Sequence, residues 1–283
     1  MYGNKIKSLL FVFSLPYLCF ASTLHAVEWR MTLGAHDFIV EQADSHTFGA
    51  GVGFFVSHTT KSSVFLSGRI NTYFDIDNDE LDPDHIPIWF QSDFVAEGKL
   101  ADLSERVFID WFVGLDDRRN TVSSVEKLQK LMPGVNIGWN NQAYVIGVNA
   151  SVGYYFLEID DDVPRNRGYG RGGLRNETSA ASVQVYTRID VGENADLNIS
   201  AQQWHDGDDW LENKYVMAFT YNAKRWLEGS WFEGGLLVFD IEHTEYNLDP
   251  YDNRPKDDPD YLPILPWDND TFVRAYVDFP LNW

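Results

Sequence analysis

Thr271-Phe272-Val273-Arg274-Ala275-Tyr276-Val277-Asp278-Phe279-Pro280-Leu281-Asn282-Trp283 closes the chain. From Val273 onward every odd position is apolar, and the polar residues Arg274, Asp278 and Asn282 fall on even ones. Side chains of a strand alternate between two faces, so this run predicts a β-strand with one apolar and one mixed face. Pro280 departs from the pattern, because proline brings no N–H to a ladder.

The same period of two recurs along the chain. Phe48, Ala50, Val52, Phe54 and Val56 form one stripe, and Leu66, Ile70 and Phe74 form another against Ser67, Arg69 and Asn71. Tyr144 to Tyr154 carries the longest stripe, with Asn149 and Ser151 opposite. Val183–Val191, Leu197–Gln202, Tyr215–Asn222 and Leu237–Glu242 follow suit. Less regular candidates lie at Glu28–Ala35, Pro87–Glu97, Arg106–Leu115 and Val135–Asn140. With the last strand these give about twelve. Lys99–Trp139 is ambiguous enough to leave ten or fourteen open. Most stripes match the roughly nine to eleven residues of a tilted membrane-spanning strand.

The terminal run, with its apolar face and the aromatic residues Tyr276, Phe279 and Trp283, resembles the C-terminal assembly strand of Gram-negative outer-membrane β-barrels. That resemblance covers about a dozen residues. It implies the outer membrane as location, and lipopolysaccharide, membrane lipid and the barrel-assembly machinery as partners. In strand number the chain also loosely resembles a solitary autotransporter-type barrel, a translocator without passenger. The implied fold is all-β: an up-and-down antiparallel transmembrane β-barrel of about twelve strands. An even number puts both termini in the periplasm.

Connections support this reading. Short ones are expected at His58–Ser62, Asn141–Gln142, Gly192–Ala195 and Ala223–Gly229. Long ones are expected at Ile39–His46, Ile76–His85, Asp116–Gly134, Glu158–Ala180, His205–Glu212 and Asn247–Asp270. Short periplasmic turns and long external loops produce that alternation. Within the third long connection, Ser123 and Glu126 have the spacing of a capping box, followed by Val125, Leu128, Leu131 and Met132. A short helix over 123–132 is therefore expected, covering the barrel mouth or plugging it.

Met1–Ala26 has a basic start (Lys5, Lys7), an apolar run from Leu9 to Ala21 and a small residue at Ala26. This is the anatomy of a cleaved signal peptide, leaving 27–283 as a single barrel domain. The one cysteine, Cys19, falls within it, so no disulfide is expected in the mature chain. Formal charge is −21, or −23 once both lysines leave. Such a balance excludes a phosphate-binding surface for nucleic acid. The aromatic content (Trp 10, Tyr 14, Phe 19) suits girdles at two membrane interfaces.

Charges on polar strand faces (Arg69, Arg188, Asp240, Glu242, Arg274, Asp278) are costly against lipid and are expected to line the lumen. Arg274 and the pair Asp240 and Glu242 lie on neighbouring strands, so a contact is expected there. Asp75, Asp77 and Asp79 alternate in a way that suits calcium, but the EF-hand glycine is missing and Ile86 stands at the twelfth position. A solvated acidic face holding at most loose divalent cations is the simpler reading, with no cofactor. Arg165, Arg167, Arg171 and Arg175 fit lipid phosphates or the neighbouring Glu158, Asp160, Asp161 and Asp162. Barrel hydrolases need an activated histidine, but no His-x-Ser occurs and neither His85 nor His205 follows an Asp-x pair. The expected role is a structural or passive-channel barrel without catalysis. Alternatives are a lipid or peptide hydrolase, or a surface-binding barrel using acidic loops.

Overall fold

The computed structural model describes residues 27–76, 88–119, 125–141, 143–159, 175–248 and 268–281. The expected leader, Asp77, Asp79, Arg165, Arg167, Arg171 and Trp283 lie outside them. Twelve strands form: β1 (Glu28–Val40), β2 (Ser45–Thr59), β3 (Phe65–Asp75), β4 (Ile88–Asp102), β5 (Val107–Arg119) and β6 (Val125–Asn141). The second half comprises β7 (Tyr144–Ile159), β8 (Arg175–Asp190), β9 (Ala195–His205), β10 (Trp210–Asn222), β11 (Leu236–Tyr246) and β12 (Asn269–Pro280). Each pairs antiparallel with its sequence neighbours, and β1 pairs with β12 from Arg30↔Pro280 to Ile39↔Thr271. The sheet is a closed up-and-down barrel with no free edge.

The expected helix over 123–132 does not form. From Val125 onward that segment belongs to β6, which pairs with β5 on one side and β7 on the other. Leu128, Lys130 and Met132 are buried while Leu131 is exposed, so the governing period is two, not 3.6. Neighbouring strands on both sides offer most of the backbone here a ladder partner, which overrides a capping signal worth about 1 kcal/mol. Pro133 pairs with Val113 on β5, and the β6–β7 ladder has no pair at Met132 or Pro133. Among the described residues the one α-helix, α1 (Lys224–Leu227), lies between β10 and β11.

Connection lengths are also corrected. At one end of the barrel, the loop end, 76–87, 160–174 and 247–268 are long. The connections 41–44, 120–124 and 206–209 at that same end are tight, because their strands run on past the apolar stripe. In the last of these, amides of Asp209 and Asp208 donate to Asp206 at 2.8 and 2.9 Å. Those bonds hold the Asp206 carboxyl below the usual carboxylate range. At the opposite, turn end, 60–64, 103–106, 142–143 and 191–194 are short, but 223–235 is long. There Gly229 and Gly234 adopt φ of 71° and 78°, a left-handed conformation open to glycine. Phe232 from this connection meets Phe279 edge-on at 4.9 Å, so the outward Phe279 is covered.

The outer surface is an apolar belt. Phe48, Phe54, Ile70, Phe94, Ile137, Val148, Val185, Met217 and Phe239, from eight of the twelve strands, are all exposed. The belt ends in polar outward residues near the loop end. His46 contacts Asp37 at 3.1 Å, Arg119 contacts Asp117 at 2.8 Å, and Asn213 donates to Glu245 at 3.0 Å. Inside, the chain buries charge. This distribution is the reverse of a water-soluble protein's.

Candidate functional site: the barrel interior

Arg69, Arg188, Asp240, Glu242, Arg274 and Asp278 all lie on inward strand faces. Arg274 is the register partner of Asp240 across β11–β12, and its Nε donates to Oδ1 at 2.6 Å. Its Nη1 donates to Tyr73 Oη at 2.9 Å and Gln91 Oε1 at 3.2 Å, on β3 and β4 across the lumen. Glu242 is gripped by Lys214 at 2.9 Å and by Arg118. Arg118 also lies 3.8 Å from Asp270 and within 3.4 Å of the Tyr246 hydroxyl. Asp278 binds Arg30 and lies 3.7 Å from Arg69. Arg188 sits at the turn end, 2.9 Å from Asp196 and 3.6 Å from Asp190. Tyr276 faces this interior and not the exterior, lining a small pocket with Arg69 and Arg274.

The interior is divided. On the side of β1, β3, β4 and β12 it is packed: Phe38, Val40, Tyr73, Trp89 and Phe272 form a buried cluster. His36 lies against it, its Nε2 2.8 Å from Asp75 Oδ1, with both side chains fully buried. Trp89 Nε1 donates to the same oxygen at 3.4 Å. Asp75 is thus engaged by β1 and β4. Among the described residues no grouping of three acidic, histidine or cysteine side chains suits a metal ion. A second buried cluster, including Leu128, Tyr155, Leu157, Trp204, Leu211 and Tyr246, fills the loop end on the side of β6–β11. Lys130 pairs with Glu212 at 2.7 Å beside it and lies 3.8 Å over the Trp204 ring.

Between this cluster and the turn end lies a cavity of about 590 Å³, enclosed by β4–β10. Four acids line it, Asp93, Glu97, Asp110 and Asp116, with the two bases Lys130 and Lys214. Along β7–β9, with Asn136 of β6, its wall is a ladder of uncharged hydrogen-bonding groups. Tyr186 donates to Asn136 at 3.0 Å, Asn149 to Gln184 at 2.5 Å and Gln202 to Ser182 at 2.9 Å.

Sequence reasoning did not single out Arg30, His36, Asp93, Arg118, Lys130, Glu212 or Lys214. Arg30 and Asp93 fall within the less regular candidates Glu28–Ala35 and Pro87–Glu97, His36 lies just past the first, and Glu212 and Lys214 precede the stripe at Tyr215–Asn222. In β5 and β6 the stretch looked like a loop with a helix, which concealed Arg118 and Lys130. Of the two readings of the arginine run, lipid phosphates or neighbouring acids, Arg175 takes the second: its Nη2 lies 2.5 Å from Glu158 Oε1.

No protein-family model matches the chain, and no curated protein matches it. Several solved structures align with most of the chain at low identity. A KdgM porin is 7% identical with a TM-score of 0.45, covering 89% of this chain and 99% of its own. A NanC porin is 11% identical with a TM-score of 0.47, covering 89% and 100%. An outer membrane channel from Pseudomonas putida F1 is 8% identical with a TM-score of 0.48, covering 90% and 95%.

Proposed function

We propose that the chain is a Gram-negative outer-membrane β-barrel that acts as a passive channel of narrow bore and cation preference. The observation that carries this is the polar cavity of about 590 Å³ inside an apolar-coated closed sheet. A contiguous apolar belt of this extent needs a lipid surround. The aqueous interior it encloses is lined by four acids, whose two nearby lysines are engaged by Glu212 and Glu242. Field lines in a low-dielectric wall focus such charge and concentrate cations.

In that setting both termini face the periplasm, and the polar rim at the loop end meets lipopolysaccharide headgroups and any loosely held divalent cations. β12 is the strand offered to the assembly machinery. The reading is non-enzymatic. His36 is enclosed by Asp75, Gly49 and the rings of Tyr73, Trp89 and Phe272, and Nδ1 has no hydrogen-bonding partner among the described residues. The autotransporter likeness extends no further than the shared barrel form.

The test is reconstitution in planar bilayers under a potassium chloride gradient. Discrete current steps with a reversal potential displaced toward potassium are expected. A membrane carrying folded barrel and no current above bare lipid assigns the protein a structural role instead.

A further inference from the structure

Asp93 and Asp116 are direct register partners across β4–β5, both facing the cavity. Like charges placed opposite one another on a sheet face repel. Elsewhere the barrel resolves the same conflict internally. Asp190 and Asp196 are partners across β8–β9, and Arg188 reaches both. At Asp93 and Asp116 no described cation bridges the two acids; Lys214, which lines the same cavity and acts on both, is held by Glu242 at 2.9 Å. Lys130 approaches Asp116 only to 3.6 Å and is committed to Glu212 at 2.7 Å. Asp93 has no ion-pair partner among the described residues.

The facing wall differs in kind. Asn149, Gln184, Ser200 and Gln202 offer amides and hydroxyls without charge. Trp204 closes the loop-end side of the cavity, only 4% exposed, and its indole N–H has no hydrogen-bonding partner among the described residues. Buried indole N–H groups ordinarily find one.

We propose that this cavity is a binding site for a hydroxylated organic cation, of the amino-sugar class. Its ammonium would sit between Asp93 and Asp116, relieving their repulsion, while its hydroxyls meet the amide ladder and the Trp204 rim. The volume falls within the 300–1,000 Å³ typical of small-molecule sites and far exceeds what a bare ion fills. An acidic sugar is disfavoured by the same wall. This deepens the channel reading and rests on it for the route of entry.

Titration calorimetry on the barrel purified in detergent, with glucosamine, glucose and glucuronate as probes, tests the site. Glucosamine should bind about tenfold more tightly than glucose, the worth of one charge-assisted hydrogen bond. Asp93→Asn with Asp116→Asn should bring the two sugars level. If that double variant does not fold, as judged by heat-modifiable mobility, Asp93→Asn alone should narrow the preference. Glucuronate binding as tightly as glucosamine, or a preference that survives in folded variants, overturns the proposal. Calorimetry needs no conductance. Binding without current therefore removes the channel reading and keeps the site, whereas current without the preference removes the site alone.

Discussion

Arg274 ties the packed side of the barrel together, since one guanidinium reaches Asp240, Tyr73 and Gln91 on three other strands. The side chain is little exposed and Asp240 less so, so the pair is poorly screened. Arg274→Ala leaves Asp240 charged and unpaired, which for a buried pair costs about 3–5 kcal/mol. The expected result is a markedly lower temperature for the loss of heat-modifiable mobility, while Arg274→Lys loses less. Gly49 offers a second residue-scale test. A Cβ there would collide with the His36 ring and the Phe74 carbonyl. Gly49→Ala should therefore destabilise the barrel by about 1–3 kcal/mol, as overpacking does, read by the same mobility assay. Parity along a strand is enough to read which face a charge takes. It is blind to partners across the lumen, such as Arg118 with Glu242 from β5 and β11, because the sequence carries no register between strands that are not neighbours.

At the scale of elements, eight strands announce themselves by a period of two, which survives where one face meets lipid and the other does not, and four only by broken stretches of it. What failed was local. The 123–132 segment satisfies helical spacing and strand alternation at once, and only pairing with β5 and β7 decides between them. Loop lengths were misjudged because β1, β5, β6, β9 and β10 continue past the belt, where their outward residues turn polar and no longer look like strand. The surviving asymmetry still gives a topology test. Epitope tags within 160–174 and 247–268 should be reached by antibody on intact cells, and tags within 142–143 or 191–194 should not. Labelling of the short turns on intact cells would invert the orientation. β12 carries its own test. It is hydrogen-bonded to both β1 and β11, so it closes the sheet. Deleting residues 279–283 removes the Phe279–Phe232 contact and the Arg30↔Pro280 pair, and should abolish stable insertion. Normal membrane levels of a heat-modifiable truncated barrel would contradict this.

At the scale of the whole molecule, the barrel is neither filled throughout nor open throughout. Closing twelve strands makes an interior wider than side chains alone fill. The sequence meets that excess unevenly. Large aromatics on β1, β3, β4 and β12 fill one side, and a second cluster fills the loop end of the other. Small and medium polar residues along β7–β9 leave the rest as the acidic cavity. This division predicts a sharp contrast in accessibility that single cysteines report. The chain has one cysteine, Cys19, and Cys19→Ser gives a labelling background without a thiol. Ser200→Cys and Gln184→Cys place thiols on the cavity wall and should react readily with a small water-soluble thiol reagent in the folded, membrane-inserted barrel. Phe38→Cys lies within the packed cluster and should react only after heat unfolding. The direction of access follows from the same packing. With the loop end closed by the Trp204 and Tyr155 cluster, an impermeant cationic reagent should label Ser200→Cys faster from the turn-end side of a bilayer than from the loop-end side. Equal rates from both sides would mean that the cluster opens on the timescale of labelling, and that the route through the barrel is continuous.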